Sequence, residues 1–398
     1  MVATTHFTYL IVGGGMVANF ASEAIREYDS EGTIGILSED IDGPYPRPAL
    51  SKKLWTDPDF SWEDLQFDTA GKNFADLHLQ TRVTAIDPAR RSVSTEAGDL
   101  FTYDTLLMAT GGRPKRVALP DDDRVIWFRT ASDYKRLREI ADQHAHVAVV
   151  GGSYMGTELA AALIQNDTSV TLVYSEDVLG GGIFPLDLAL AYEKTFADRG
   201  VQLHSGASLT GGTADDASIS LALDDGSHLV ADAVVTGLGI KPNVELARDA
   251  GLAVGDGIVV DDHLLTSDPH IYAAGDVAEY PDVLLGRGRA EHVDNATAMG
   301  HTAGHNMAGA NEPYDHTPYY YSVIFGTRFE AVGLIDSSLD IVEDWIEPLS
   351  KGVLYYLHDG LVVGVLLWNV EGRLDEARQT IAGAAAITKD NLVGHITA

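Results

Sequence analysis

Two stretches of the chain share one pattern of apolar and small residues. Tyr9-Leu-Ile-Val12 is an unbroken apolar run that enters Gly13-Gly-Gly15 and then a helix; Val147-Ala-Val-Val150 enters Gly151-Gly-Ser-Tyr-Met-Gly156, and Glu158-Leu-Ala-Ala-Ala-Leu163 begins the helix. A short apolar run bounded by glycine reads as a buried strand, so each stretch predicts strand, tight turn and helix. A second apolar run completes each copy, Ile34-Gly-Ile-Leu37 ending at Ser38-Glu39 and Val170-Thr-Leu-Val-Tyr-Ser-Glu176. The repeat predicts an α/β chain built by duplication.

The remaining pattern extends the duplication. Pro44-Tyr-Pro-Arg-Pro predicts an extended entry to a short helix near Ser51. Alternating runs over Leu77–Ile86, Ser92–Thr95 and Phe101–Tyr103 predict a small antiparallel meander, and the run from Asp104 to Gly112 a buried strand. Helices are expected over Ser132–Gln143 and Leu186–Arg199, the second ending at Gly200. Another meander then leads to a strand ending at Gly239, the counterpart of the one ending at Gly112. Strands at Gly257–Val260 and Ile271–Asp276 and a helix over Asp294–Met307 return the chain to the first domain. From about residue 317 the runs become β-branched and aromatic: Tyr319–Ile324, Arg328–Ile335, Gly352–Leu357 and Leu361–Trp368. The last two join at His358-Asp-Gly360, a hairpin signal, and a helix over Leu374–Ala385 would cover that sheet. The expected fold class is α/β, with two Rossmann-like nucleotide-binding domains (residues 1–112 with 247–316, and 113–246) and a C-terminal α+β domain over 317–398.

The turns carry the candidate chemistry. In Gly13-x-Gly15-x-x-Ala18 the first glycine permits the tight turn, the second lets backbone approach a pyrophosphate, and the small third residue lets helix pack on strand. A dinucleotide is expected at that helix N-terminus, with Glu39 accepting from a ribose while it is ionised. One such turn also occurs in proteins that bind no nucleotide. The second copy, with Gly151, Gly156 and Glu176, is what points to two dinucleotides.

Composition narrows the possibilities. The formal net charge is −32, from 40 Asp and 19 Glu against 9 Lys and 18 Arg. An acidic, lysine-poor surface of this kind suits high salt, where screening relieves self-repulsion; a merely acidic protein is the alternative. No basic stripe exists to displace counterions from phosphates, so nucleic acid is not an expected partner. The chain has no cysteine, which excludes a redox-active thiol pair, a sulfenate centre and thiolate-held zinc or iron–sulfur clusters. No apolar run has the length of a membrane span and no secretory leader pattern is present, so a cytoplasmic location is expected. His301 and His305 sit four residues apart on an expected helix, but with no acidic third ligand on that face they read as a surface pair, and no metal is expected.

Together these motifs resemble the flavin- and NAD-dependent oxidoreductases of glutathione-reductase type. Within them, the chain is most similar to the apoptosis-inducing-factor family, and next to the ferredoxin reductases that serve oxygenases. The resemblance spans nearly the whole chain and rests on Pro44-Tyr-Pro-Arg-Pro-Ala-Leu-Ser-Lys52, Gly156-Thr-Glu-Leu-Ala160, Lys241-Pro-Asn-Val-Glu-Leu-Ala247, Ala274-Gly-Asp276, Gly286-Arg-Gly-Arg-Ala-Glu-His292, Glu330-Ala-Val-Gly-Leu-Ile-Asp-Ser-Ser338 and Lys351-Gly-Val-Leu-Tyr-Tyr356 to Val365-Leu-Leu-Trp-Asn369.

The resemblance implies that Gly13, Gly15, Ala18, Glu39, Arg47, Val83, Gly111 and Asp276 hold FAD, with Arg47 at the pyrophosphate, Val83 near the adenine and His292 near the flavin pyrimidine edge. It implies NAD at Gly151, Gly156, Glu176, Gly239 and Glu291, with Glu176 disfavouring a 2′-phosphate. Lys52 and Glu158 match an ion pair beside the flavin N5, and Tyr154 an aromatic ring that covers the flavin until nicotinamide displaces it. Three departures stand out. Ser153 replaces the middle glycine of the second turn, Tyr321 stands about where animal members have a tryptophan, and only a few residues separate Ser338 from Lys351, where animal members carry a long insertion. The implied activity is hydride transfer from NADH to FAD, then electron transfer directly to an external acceptor: a quinone, a small molecule or ferredoxin. The alternatives are a ferredoxin reductase of an oxygenase-type chain and an NADH-responsive sensor with negligible turnover. The sequence leaves monomer and homodimer both open.

Overall fold

The computed structural model of the protein describes residues 4–397. The chain divides into two compact units, Met1–Arg47 with Ser61–Arg113 and Lys241–Pro318, and Pro48–Phe60 with Pro114–Ile240 and Tyr319–Ala398. Among the described residues no helix is long and apolar enough to cross a membrane.

The first unit is built on a seven-stranded sheet in the order Ala75–His78, Ile34–Leu37, Thr4–Val12, Leu100–Met108, Ser92–Thr95, Val83–Asp87, with Ile271–Ala273 also paired to Leu100–Met108. The first four strands are mutually parallel, as is Ile271–Ala273, while Val83–Asp87 and Ser92–Thr95 add antiparallel ribbons. Leu10, Ile11, Ile36, Leu106 and Leu107 are buried, as continuous apolar runs in a sheet covered on both faces must be. Two expectations change here. Leu77–Ile86 is not one strand: the chain turns after His78, with Gln80 in the left-handed region, and resumes at Val83. Conversely, Phe101–Tyr103 and the run from Asp104 belong to the single strand Leu100–Met108. Helix Met16–Tyr28 packs on helix Val293–Met307, and a Cβ on Gly304 would lie 2.4 Å from the Ala21 carbonyl oxygen, so glycine sets their separation.

The second unit repeats the parallel plan in the order Gln202–His204, Ser169–Val173, His146–Val150, Ala233–Thr236, Val125–Trp127. A three-stranded meander, Leu209–Ala214, Ile219–Leu223 and His228–Ala231, follows as expected. The C-terminal antiparallel sheet has the order Tyr319–Ile324, Thr327–Gly333, Leu361–Trp368, Lys351–His358, Asp340–Glu347. Its last strand was not expected from the sequence. The turn after His358 places Asp359 and Gly360 at positive φ, as the hairpin signal requires. The Phe329 and Trp368 rings stack with centroids 5.3 Å apart, and Phe184 meets both edge-on. That aromatic cluster, with Tyr192, joins the sheet to the parallel-sheet half of the same unit.

Candidate active site

In both units the glycine turn is demanded by the backbone. Gly13 has φ +118° and Gly151 +120°. A Cβ on Gly13 would lie 2.1 Å from the Ala109 carbonyl oxygen, and one on Gly151 would lie 2.5 Å from that of Gly237. Each glycine N–H donates to the last residue of the second strand, Gly13 to Leu37 at 2.9 Å and Gly151 to Val173 at 2.8 Å. The two turns are therefore the same device used twice.

In the first unit Arg47 stands beside the turn, and the other residues expected at FAD occupy the following positions of the same unit. Helix Met16–Tyr28 starts with no side-chain cap and no acid in its first turn, so no side chain competes with an anion for its first N–H groups. The Arg47 guanidinium lies over the turn, its Nη1 3.2 Å from where a Cβ on Gly15 would stand. Ala18 is fully buried, Glu39 is exposed just past the end of Ile34–Leu37, and Val83 begins its strand as a buried residue. Gly111, at φ +58°, accepts through its carbonyl from Asn243 N–H at 2.9 Å. Asp276 lies in the short turn Gly275–Val277 that follows Ile271–Ala273. A side-chain-free turn, an uncapped helix start and a guanidinium beside them fit the pyrophosphate of a dinucleotide.

Arg289 links Asp276 to Glu291, a residue expected at NAD, which sequence reasoning did not anticipate. Its guanidinium donates to the Asp276 carbonyl at 2.6 Å, to Glu291 at 2.8 Å and to Asp256 at 3.0 Å, with only 10% of the side chain exposed. Glu291 is thus ion-paired. His292 caps helix Val293–Met307, its ring accepting from Asp294 N–H at 3.4 Å.

In the second unit, a Cβ on Gly156 would lie 1.8 Å from the Gly151 carbonyl oxygen, so helix and turn meet without a side chain between them. Ser153 donates its hydroxyl to the Gly237 carbonyl at 3.1 Å. A Glu176 carboxylate oxygen lies 3.2 Å from the Cβ position of Gly152, beside the turn. Gly239, at φ +81°, accepts from Lys115 N–H at 2.9 Å, and the Lys115 ammonium is 3.7 Å from its Cβ position.

The same unit holds a buried charge pair. Lys52 Nζ lies 2.7 Å from Glu158 Oε1, with 17% of the lysine side chain and 4% of the glutamate exposed. Ser51 donates to Glu158 Oε2 at 2.6 Å and Ser322 to Oε1 at 2.7 Å. The Tyr321 ring centroid is 5.3 Å from the ammonium. Burial, with the Glu158 charge and Tyr319 adding to it, raises the Tyr321 phenol pKa against the opposing pull of Arg328. Tyr154 begins helix Tyr154–Ile164, its ring 5.8 Å from that of Phe329, and burial pushes its phenol above the ordinary range. Ser51 lies within the proline motif quoted above, but nothing in the sequence singled out either serine as a partner of Glu158.

His305 is not a bare surface residue. Its two ring nitrogens lie 2.9 Å from Glu312 and 3.0 Å from Glu27, and Tyr28 donates to Glu312 at 2.9 Å.

Comparison with known proteins gives the family of the chain. The pattern of the family described as Pyridine nucleotide-disulphide oxidoreductase matches residues 7–300, and that of Apoptosis-inducing factor, mitochondrion-associated, C-term matches residues 303–350 and 343–383. Apoptosis-inducing factor 1, mitochondrial, of Dictyostelium discoideum is 32% identical over 98% of this chain and 81% of its own length. The 5,5'-dehydrodivanillate O-demethylase ferredoxin reductase subunit of a Sphingobium species is 31% identical over 97% of this chain and 96% of its own. The crystal structure of the ferredoxin reductase for the CYP199A2 system from Rhodopseudomonas palustris superposes with a TM-score of 0.87 at 27% identity, covering 96% of each chain.

Proposed function

We propose a route for electrons from one premise: the chain belongs to the pyridine nucleotide-disulphide oxidoreductase family and is an NADH-dependent flavoprotein oxidoreductase that uses FAD and NAD. When bound, FAD supplies hydride acceptance from NADH and onward release of electrons. The chain has no cysteine, so no thiol of its own can relay them, and they pass directly to an external acceptor.

Arg47 and the uncapped helix start neutralise the FAD pyrophosphate, with Gly13, Gly15, Ala18, Glu39, Val83, Gly111, Asp276 and His292 completing that site. Gly151, Gly156, Glu176, Gly239 and Glu291 take NADH, and Tyr154 guards its entry. Lys52 presents a fixed positive charge to the flavin's redox end, where negative charge develops, and Glu158 holds that lysine in place. The Lys52–Glu158 pair at 2.7 Å carries this reading. Such a buried pair is weak evidence for stability, because apolar residues of similar size serve as well, so its presence points to a use for the charge.

Ferredoxin is the favoured acceptor class because a ferredoxin reductase subunit matches nearly end to end. Against it stands the net charge of −32, since docking of an acidic ferredoxin needs a basic patch unless salt screens the repulsion. The test is anaerobic reduction of the holoprotein by NADH, followed by ferredoxin, quinone and ferricyanide as acceptors at low and high salt. Rapid reoxidation by at least one acceptor is expected, with ferredoxin turnover rising with salt. An NADH-dependent change in size with negligible turnover against every acceptor would instead establish a sensor.

A further inference from the structure

The Glu158 carboxylate takes donors from three segments of one unit, with both of its oxygens engaged. Oε1 accepts from Lys52 at 2.7 Å and Ser322 at 2.7 Å, and Oε2 accepts from Ser51 at 2.6 Å. Ser51 ends the turn Arg47–Ser51, Glu158 is in helix Tyr154–Ile164, and Ser322 is on Tyr319–Ile324, the edge strand of the C-terminal sheet. Ser51 is 2% exposed and Ser322 fully buried, so water cannot readily replace either hydroxyl. A serine hydroxyl has one hydrogen to donate, and each of these is spent on Glu158.

We propose that Ser51 and Ser322 are positioning residues for Lys52. By occupying the carboxylate they restrict the ammonium to one oxygen and leave its other N–H bonds directed away from Glu158. Removing Ser51 bares Oε2, and the ammonium rotates to bridge both oxygens. Removing Ser322 lets the ammonium settle more closely on Oε1. In either case the positive charge is drawn back into its counter-ion. The edge strand acts twice, because Tyr321, next to Ser322, also faces the ammonium with its ring. The C-terminal sheet thereby sets where the lysine's charge stands.

The inference rests on the reading of Lys52 as the cation presented to the flavin, and the test separates the two. The midpoint potential of bound FAD is measured for the holoprotein, for Ser51→Ala, Ser322→Ala and Lys52→Met, and for each serine change in the Lys52→Met background. FAD content and melting temperature are followed alongside. A serine-to-alanine change should disfavour reduction about tenfold, equivalent to about 30 mV more negative for a two-electron couple. Lys52→Met should shift the potential at least as far, and in its background the serine changes should shift it by less than a third as much. Ser322→Thr, which keeps the hydroxyl, should stay near the parent. Parental potentials in both alanine variants, or shifts that persist undiminished without Lys52, overturn the inference and leave the lysine's role standing. A parental potential in Lys52→Met overturns the role and the inference together.

Discussion

Lys52→Met strands a charge. Glu158 has 4% of its side chain exposed, and the methionine replaces the lysine stem while removing the counter-ion. Breaking a buried pair by deleting one partner destabilises by about 3–5 kcal/mol. Two hydroxyl donors remain on Glu158, which places this case near the low end, at about 3 kcal/mol. In a unit of about 150–250 residues each kcal/mol moves Tm by about 2–4 °C, so the unit that holds the pair should melt roughly 6–12 °C lower. Scanning calorimetry of the FAD-loaded protein at fixed salt and neutral pH reads this directly. The decisive comparison is Lys52→Met with Glu158→Gln, which removes the stranded charge but keeps an amide able to bond the serines. It should recover more than half of the loss. A Lys52→Met protein within 2 °C of the parent, or a double variant no better than the single one, would refute the claim that an uncompensated buried charge is at issue.

Two further outcomes are expected. Burial opposes the charged form of His305, but its hydrogen bonds to Glu312 and Glu27 and their charges outweigh this and hold its pKa above the usual value. Its contribution is therefore fully present below about pH 6.5 and is lost as pH rises through the raised value, so His305→Gln should lower Tm by several degrees near pH 6 and by less than half as much near pH 9; an equal loss at both would show that the ring acts by packing alone. Glu176→Ser removes the carboxylate beside the second turn, and the NADPH-to-NADH ratio of kcat/KM should rise about tenfold, equivalent to about 1.4 kcal/mol; steady-state kinetics with both nucleotides would show an unchanged ratio if Glu176 plays no part in selection.

The glycine turns were legible because their constraint is local. A positive φ at Gly13 and Gly151 and the carbonyl packed against each leave no room for any other residue, so the sequence carries the whole signal. Lys52 and Glu158 were identified through the resemblance, since nothing local couples residues so far apart. Ser51, Ser322 and Arg289 escaped because serine and arginine are common and their partners are set by tertiary packing. Strand Asp340–Glu347 escaped for another reason: as the edge of its sheet it has no fully buried residue, and its acids break the alternation. Leu100–Met108 read as two runs because Asp104 is exposed just where one edge of the strand passes from the antiparallel Ser92–Thr95 to the parallel Ile271–Ala273.

The duplication separates what the two turns share from what distinguishes them. Their backbones agree to within a few degrees at the first glycine, and neither of the helices that follow has a side-chain cap. The charges around them differ. At the first turn the Arg47 guanidinium stands 3.2 Å from the Cβ position of Gly15; at the second, a Glu176 oxygen stands 3.2 Å from that of Gly152, and the nearby ammonium, Lys115, is placed against Gly239 instead. A pyrophosphate on the first turn gains a bidentate-capable cation, while a dinucleotide on the second approaches a carboxylate that a ribose hydroxyl can satisfy and a phosphate cannot. Ser153 follows the same logic, because its hydroxyl is tied to the Gly237 carbonyl rather than offered to an anion. On the proposed assignment of FAD to the first turn and NAD to the second, one backbone device would serve both a dinucleotide that is retained and one that is exchanged, which is the asymmetry an enzyme needs when one cofactor stays and the other is consumed each turnover.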